Sequence, residues 1–172
     1  MTLFKNNCLI ACLAYLLTII GFLALTAGFF TPFWNVSTQS DGSKTFSGLI
    51  MTCNTSFSCS FDIAQIKKFA KGDFSGIQVG SMTLGIAGWV FGLVTLIIVM
   101  IYSCFPITVT GVLAIIAALI SGITGVACVI MYGKGILTIS EAAVSWSLGL
   151  YTGGSALMIL VAIVLIINVC VL

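Results

Sequence analysis

Two cysteines, Cys53 and Cys59, stand with five residues between them in the polar stretch Phe46–Phe61, FSGLIMTCNTSFSCSF. Thiols at this spacing in a polar loop suit a short hairpin staple, a bond that persists on the oxidising side of a membrane. Closing so small a ring is worth about 2 kcal/mol in the chain-entropy account, enough to matter to a small sheet that lacks a deep core. The alternative is a pair of unrelated thiols, because Cys8, Cys12, Cys104, Cys128 and Cys170 show that the chain uses cysteine freely. The same region carries two acceptor sequons for an N-linked glycan, Asn35-Val-Ser and Asn54-Thr-Ser. Asn54 is the better acceptor, since Asn35 lies close to the end of an apolar run, where the membrane obstructs modification.

Other chemistries are poorly supplied. The sequence has no histidine and no arginine, which removes His-ligated metals, Ser-His-Asp triads and arginine clamps on phosphate. A thiol nucleophile at Cys104 or Cys170 would lack a base to raise its thiolate fraction. The reading is therefore of a protein that is not an enzyme, with no catalytic residue, cofactor or metal. The six basic residues are all lysines, the net charge is +2, and no basic cluster is large enough for nucleic acid.

The elements that position the loop follow from composition. Of 172 residues 60% are hydrophobic and only 6% charged, where a soluble domain carries about 25% charged. Four apolar runs reach the roughly 20 residues needed to cross a bilayer: Leu9–Phe30, Met82–Tyr102, Ile107–Tyr132 and Gly153–Leu172. None holds a charge, unlike helices that conduct ions or relay protons. The first run has features of a secretory leader, with Lys5 before it and Ala24-Leu-Thr-Ala27 as a small-residue site, but its apolar stretch is too long. It is read as a span. The connections are then a long loop over 31–81, a tight one over 103–106 and a third over 133–152.

Four spans put both termini on one side. Lys44, Lys67, Lys68 and Lys71 lie in the long loop and only Lys5 on the terminal side, which by the positive-inside count would turn the loop inward. The cysteine pair and the two sequons outweigh that count, so the loop is read as extracellular and both termini as cytosolic. Cys8, Cys12 and Cys104 then lie near the cytosolic face, as juxtamembrane candidates for S-palmitoylation. The sequence ends at Val169-Cys-Val-Leu172, inside the apolar run, and no scaffold-binding tail is read from it.

Within the long loop, Ser40-Asp-Gly-Ser between β-formers is a hairpin signal. It predicts a strand around Trp34–Thr38, a single return strand over Lys44–Thr52, and a second hairpin clamped by Cys53 and Cys59. Apolar residues at 63, 66, 69 and 70 predict a short amphipathic helix whose lysines form a solvated or headgroup-facing edge. Small-residue ladders run through Gly76, Gly80, Gly85, Gly88 and Gly92 and through Ala114, Ala118, Gly122 and Gly125. They are read as packing within a bundle, ahead of a dimer face. The third span, at 26 residues about 39 Å long, is expected to protrude beyond the bilayer as a pillar.

With Trp34, Gly48-Leu49, Cys53 and Cys59 in one loop of a four-span chain, the sequence resembles the claudin, epithelial membrane protein and peripheral myelin protein superfamily. That family's signature is a Trp, then Gly-Leu-Trp, then two cysteines. Pro32-Phe-Trp-Asn-Val-Ser is similar to the family's exit from its first helix, and Leu148-Gly-Leu-Tyr-Thr-Gly to its entry to the fourth. Ile50 stands where the family has its second Trp. The five-residue gap between the cysteines is short for a vertebrate claudin and resembles an invertebrate type. Ser60 and Phe61 come before Asp62 where pore-forming claudins place the charge that sets ion preference, so charge-selective conduction is not implied.

The resemblance implies an all-α membrane protein: a left-handed four-helix transmembrane bundle carrying a small antiparallel extracellular β-sheet, made by the long loop and a strand from the third loop. Trp34, Gly48 and Leu49 would pin that sheet to the outer helix ends; taken alone, Trp34 reads equally as an aromatic-belt residue. The implied function is cell–cell junction or adhesion at the plasma membrane, with the bilayer and further copies of itself or related claudin-like proteins as partners. The alternative is an auxiliary subunit of an ion channel or receptor, its small-residue ladders facing the partner's helices.

Overall fold

The computed structural model describes residues 2–38, 42–56, 58–72, 76–136 and 143–171, with the backbone alone for 2–9, 64, 65, 69, 135, 136, 143, 144 and 171. Helix α1 covers Thr2–Phe30 and is followed by strands β1 (Asn35–Thr38), β2 (Lys44–Ser47), β3 (Met51–Asn54) and β4 (Cys59–Phe61). Then come the short helix α2 (Ile63–Ala70), the long helices α3 (Ile77–Cys104) and α4 (Thr108–Ile136), strand β5 (Ala143–Val144) and helix α5 (Trp146–Val171). Four of these helices are long and apolar enough to cross a membrane. The chain is a multi-pass membrane protein: a four-helix bundle with a small antiparallel sheet at one end.

The helices form a ring in which α1 packs on α5 and α3, and α4 packs on α3 and α5. The interior mixes large side chains, such as Leu25, Val99, Tyr102, Met158 and Leu165, with many small ones. The small or hydroxylic inward positions include Ala14, Ala114, Ala118, Ala162, Thr18, Thr95, Ser121 and Ser155, all fully buried. Outward positions are large and aliphatic, such as Leu16, Leu23, Ile97, Leu113, Ile123 and Ile163. Helices apolar on every side belong in lipid, where close backbone approach at small residues supplies the packing. A Cβ on Gly28 of α1 would lie 2.6 Å from the Tyr151 backbone nitrogen, and one on Gly154 of α5 would lie 2.7 Å from the Leu25 backbone nitrogen. A Cβ on Gly88 of α3 would lie 3.3 Å from the Ser121 carbonyl oxygen and the Gly125 nitrogen of α4, and the Ser121 hydroxyl donates to the Gly88 carbonyl at 2.7 Å. The glycine ladders expected from the sequence are thus used between helices of one bundle. Near the end away from the sheet, buried Asn168 of α5 donates to the Tyr102 hydroxyl of α3 at 3.2 Å.

The sheet runs β4-β3-β2-β1-β5, every neighbour antiparallel. The β1–β2 hairpin is present, with Gly42 at φ +81 in its turn; Ser40 and Asp41 lie outside the described residues. The single return strand expected over Lys44–Thr52 is instead two strands. Gly48-Leu49-Ile50 breaks it, with the Gly48 N–H donating to the Met51 carbonyl at 2.7 Å to close a tight turn. Helix α2 lies where the apolar spacing placed it. The sheet also recruits β5 from the third loop, pairing Asn35 with Val144 and Val36 with Ala143.

Helix limits exceed the apolar runs. Helix α3 starts at Ile77 rather than Met82, α4 continues to Ile136, and α5 starts at Trp146 rather than Gly153. The third connection is correspondingly shorter than 133–152. Its early return to helix has a local cause: the Ser147 and Ser145 N–H groups donate to the Phe33 and Trp34 carbonyls at 3.2 Å, fastening the start of α5 to the exit of α1.

If backbone contact at Gly28 sets the α1–α5 distance, Gly28→Val loses about 1–3 kcal/mol through overpacking. Gly153→Ala, where nothing lies within 4 Å, gains about 0.5–1 kcal/mol of helix propensity. Thermal unfolding in detergent, followed by size-exclusion chromatography, separates the two.

Candidate functional site

The site to be explained is the junction between sheet and bundle. It begins with Pro32. Inside an α-helix the Gly28 carbonyl would accept the N–H of residue 32, but proline has none, and α1 stops at Phe30. The Trp34 indole turns back and gives its Nε1–H to that carbonyl at 2.5 Å. The Trp34 backbone is also committed. Its N–H donates to the Ser47 carbonyl of β2, and its carbonyl accepts from the Ser145 N–H beside β5, both at 3.2 Å.

The indole is fully buried. It meets the Tyr132 ring of α4 edge-on at 4.9 Å and the Tyr151 ring of α5 at 5.2 Å. Tyr151 in turn donates its hydroxyl to the Gly85 carbonyl of α3 at 2.9 Å. One tryptophan and one tyrosine therefore touch all four long helices, strand β2 and the residue that links β5 to α5. Trp34 is not an aromatic-belt residue; Trp146, 54% exposed and stacked on Phe33 at 5.5 Å, is the exposed indole at this level.

Gly48 and Leu49 make the second attachment. A Cβ on Gly48 would lie 2.6 Å from the Thr31 carbonyl oxygen and 2.8 Å from Pro32 Cα, so only glycine lets the β2–β3 turn rest on the α1 exit. Leu49, 4% exposed, enters the bundle beside Gly85 of α3, next to Cys128 and Phe29. Ile50 is buried as well, and its carbonyl accepts the Asp62 N–H at 3.0 Å, linking the turn to the start of α2.

Cys53 and Cys59 are directly opposed on β3 and β4 and are joined in a disulfide, with Cα atoms 4.1 Å apart. Cys53 is buried and Cys59 exposed, so the bridge caps the sheet's outer hairpin rather than its root. Cross-strand partners share a face. Ser60, Thr52, Ser47 and Asn35 make one row that ends at Val144 of β5, with Asn54, Thr45 and Ser37 beside them, giving an uncharged face mostly of hydroxyls and amides. The opposite face carries Phe61 with Met51, and Cys59, Cys53, Phe46 and Val36.

The two sequon asparagines part company. Asn54 is exposed at the hairpin tip, whereas Asn35 is 9% exposed on an inner strand of the sheet and its amide oxygen has no hydrogen-bond partner among the described residues. Of the cysteines considered for acylation, Cys12 and Cys104 are exposed, while the Cys8 side chain lies outside the described residues. Cys170, also exposed, lies on α5 towards the same end, opposite the sheet. Tyr132 and Tyr151 were not singled out from the sequence. Both stand near the sheet-side ends of apolar runs, and Tyr151 lies within the Leu148-Gly-Leu-Tyr-Thr-Gly stretch, neither of which reveals a shared tryptophan. Comparison of the sequence with protein-family models finds no match, and comparison with curated proteins finds none.

Trp34→Phe keeps an aromatic ring but strands the buried Gly28 carbonyl, a loss of about 1–3 kcal/mol. Tyr151→Phe costs less, about 1 kcal/mol, because the Gly85 carbonyl lies within α3 and keeps its helical partner. Denaturant titration of the two variants in the same detergent checks the order.

Proposed function

We propose that this is a claudin-like adhesion or junction protein of the plasma membrane, with both termini cytosolic and its sheet presented outside the cell. The observation that carries the reading is how the sheet is mounted. It is joined to the bundle by buried hydrogen bonds and rings at Trp34 and Tyr151 and by the buried Leu49 side chain, and its outer hairpin is closed by the disulfide. A surface held this firmly loses little ordering entropy when it meets another copy, which favours association. Its uncharged rows of Ser60, Thr52 and Ser47 with Thr45 and Ser37 are suited to hydrogen-bonded contact between like surfaces, where charge would repel. Exposed Cys12 and Cys104 fit S-acylation at the cytosolic end.

The second reading, an auxiliary subunit of a channel or receptor, drew on glycine ladders free to face a partner. Gly85, Gly88, Gly92, Gly122 and Gly125 are instead packed against neighbouring helices of the same chain. That observation favours the adhesion reading.

Expression of the full chain in non-adherent cells is expected to cluster them and to yield intramembrane strands by freeze-fracture. Dispersed cells without strands, together with a fixed stoichiometric channel partner on gentle detergent purification, would support the second reading instead.

A further inference from the structure

The β3–β4 hairpin holds an acceptor sequon inside its disulfide ring. Asn54 follows Cys53, ends β3 and is exposed. Its amide oxygen accepts the Ser58 backbone N–H at 2.9 Å and the Ser56 hydroxyl at 2.8 Å, and its own backbone N–H donates to the Ser58 carbonyl at 3.2 Å. Ser56 is the hydroxyl residue of Asn54-Thr55-Ser56, the group a glycosyltransferase must recognise. In the closed hairpin that hydroxyl is turned back onto the asparagine it serves. The ring is also compact: its two cysteine Cα atoms are 4.1 Å apart, whereas six residues of extended chain span about 20 Å. A sequon in this state cannot be drawn out into an enzyme's groove.

Asn35 is placed differently. It lies between β2 and β5, paired with Ser47 and Val144, and is 9% exposed. An oligosaccharide on its side chain is too bulky to coexist with the sheet, because glycans occupy surface positions.

We propose that Asn54 is the N-glycosylation site of the folded protein, that Asn35 is bare in it, and that closure of the Cys53–Cys59 ring ends the competence of Asn54 as an acceptor. The donor is a lipid pyrophosphate-linked oligosaccharide. Asn54 Nδ2 forms a bond to the anomeric carbon, the anomeric C–O bond breaks, the lipid pyrophosphate leaves, and the Nδ2 proton passes to a base of the transferase. The order of events follows from the hairpin: sugar first, bridge second. The product carries a hydrophilic chain at the β4 end of the sheet, where Ser60 and Phe61 are exposed, and shields that end from edge-to-edge pairing. The inference rests on the reading that puts the sheet outside the cell.

The test is translation of the full chain into microsomes, under reducing and oxidising buffer, with an extra acceptor sequon on an N-terminal tag. Glycans are scored by an endoglycosidase-sensitive mobility shift. One glycan is expected under reducing conditions, lost in Asn54→Gln and retained in Asn35→Gln. Oxidising buffer is expected to lower occupancy severalfold in the wild type and to leave the Cys53→Ser/Cys59→Ser variant unchanged. Equal wild-type occupancy in the two buffers would overturn the ring coupling. A glycan on Asn35 in bridged molecules, or none on Asn54 with the tag also bare, would overturn the site assignment. A glycan on the tag alone would show that the sheet faces the other way, and would remove the orientation on which the proposal stands.

Discussion

A carbonyl without its helical partner organises this molecule. Pro32 ends α1 and withholds the N–H that the Gly28 carbonyl would otherwise accept. In a setting with no water to substitute, that vacancy costs several kcal/mol unless something else donates. The Trp34 indole does so, and in reaching Gly28 it is drawn under the sheet and between Tyr132 and Tyr151. That one bond turns the chain back over the α1 exit and seats the start of β1 on the bundle. The same residue's backbone ties β2 on one side and the β5–α5 connection on the other. The sheet is therefore built outward from the bundle and not laid upon it.

The bundle makes this possible by placing small side chains where its helices meet most closely. Glycine at 28 and 154 lets α1 and α5 meet backbone to backbone, and Gly85 leaves the space that Leu49 fills. Such close contact also exposes carbonyls to hydroxyls on the next helix, as with Ser121 to Gly88 and Tyr151 to Gly85. In lipid these bonds are modest, of order 1 kcal/mol each, but they are directional. They fix rotation and depth where aliphatic packing alone would permit sliding. Other large aliphatics, such as Leu16, Leu23 and Ile163, face outward.

Much of this was legible in the sequence because it is local. Apolar runs of membrane length, the Asp-Gly hairpin, the amphipathic spacing over α2 and the paired cysteines each announce themselves within a few residues. What was not legible depends on contacts between distant segments. The Lys44–Thr52 run has unbroken strand propensity apart from Gly48, and only the α1 exit against which Gly48 rests explains why the chain turns there. Helix α5 begins at Trp146 because Ser145 and Ser147 bind carbonyls more than a hundred positions earlier, which no hydropathy window records. Trp34 has the composition of an interfacial tryptophan; its burial depends on Tyr132 and Tyr151, which a linear reading leaves unconnected.

The indole N–H of Trp34 offers the most direct test that sheet and bundle are one body. In lipid nanodiscs, with the indole signals assigned through Trp34→Phe and Trp146→Phe, hydrogen exchange at the three indoles can be timed against one another. The account predicts that the Trp34 Nε1–H is protected to the level of the α1 backbone amides, while that of Trp146 exchanges freely. Equal exchange at the two would mean that the Gly28 bond is not formed, and the sheet would then lack its anchor.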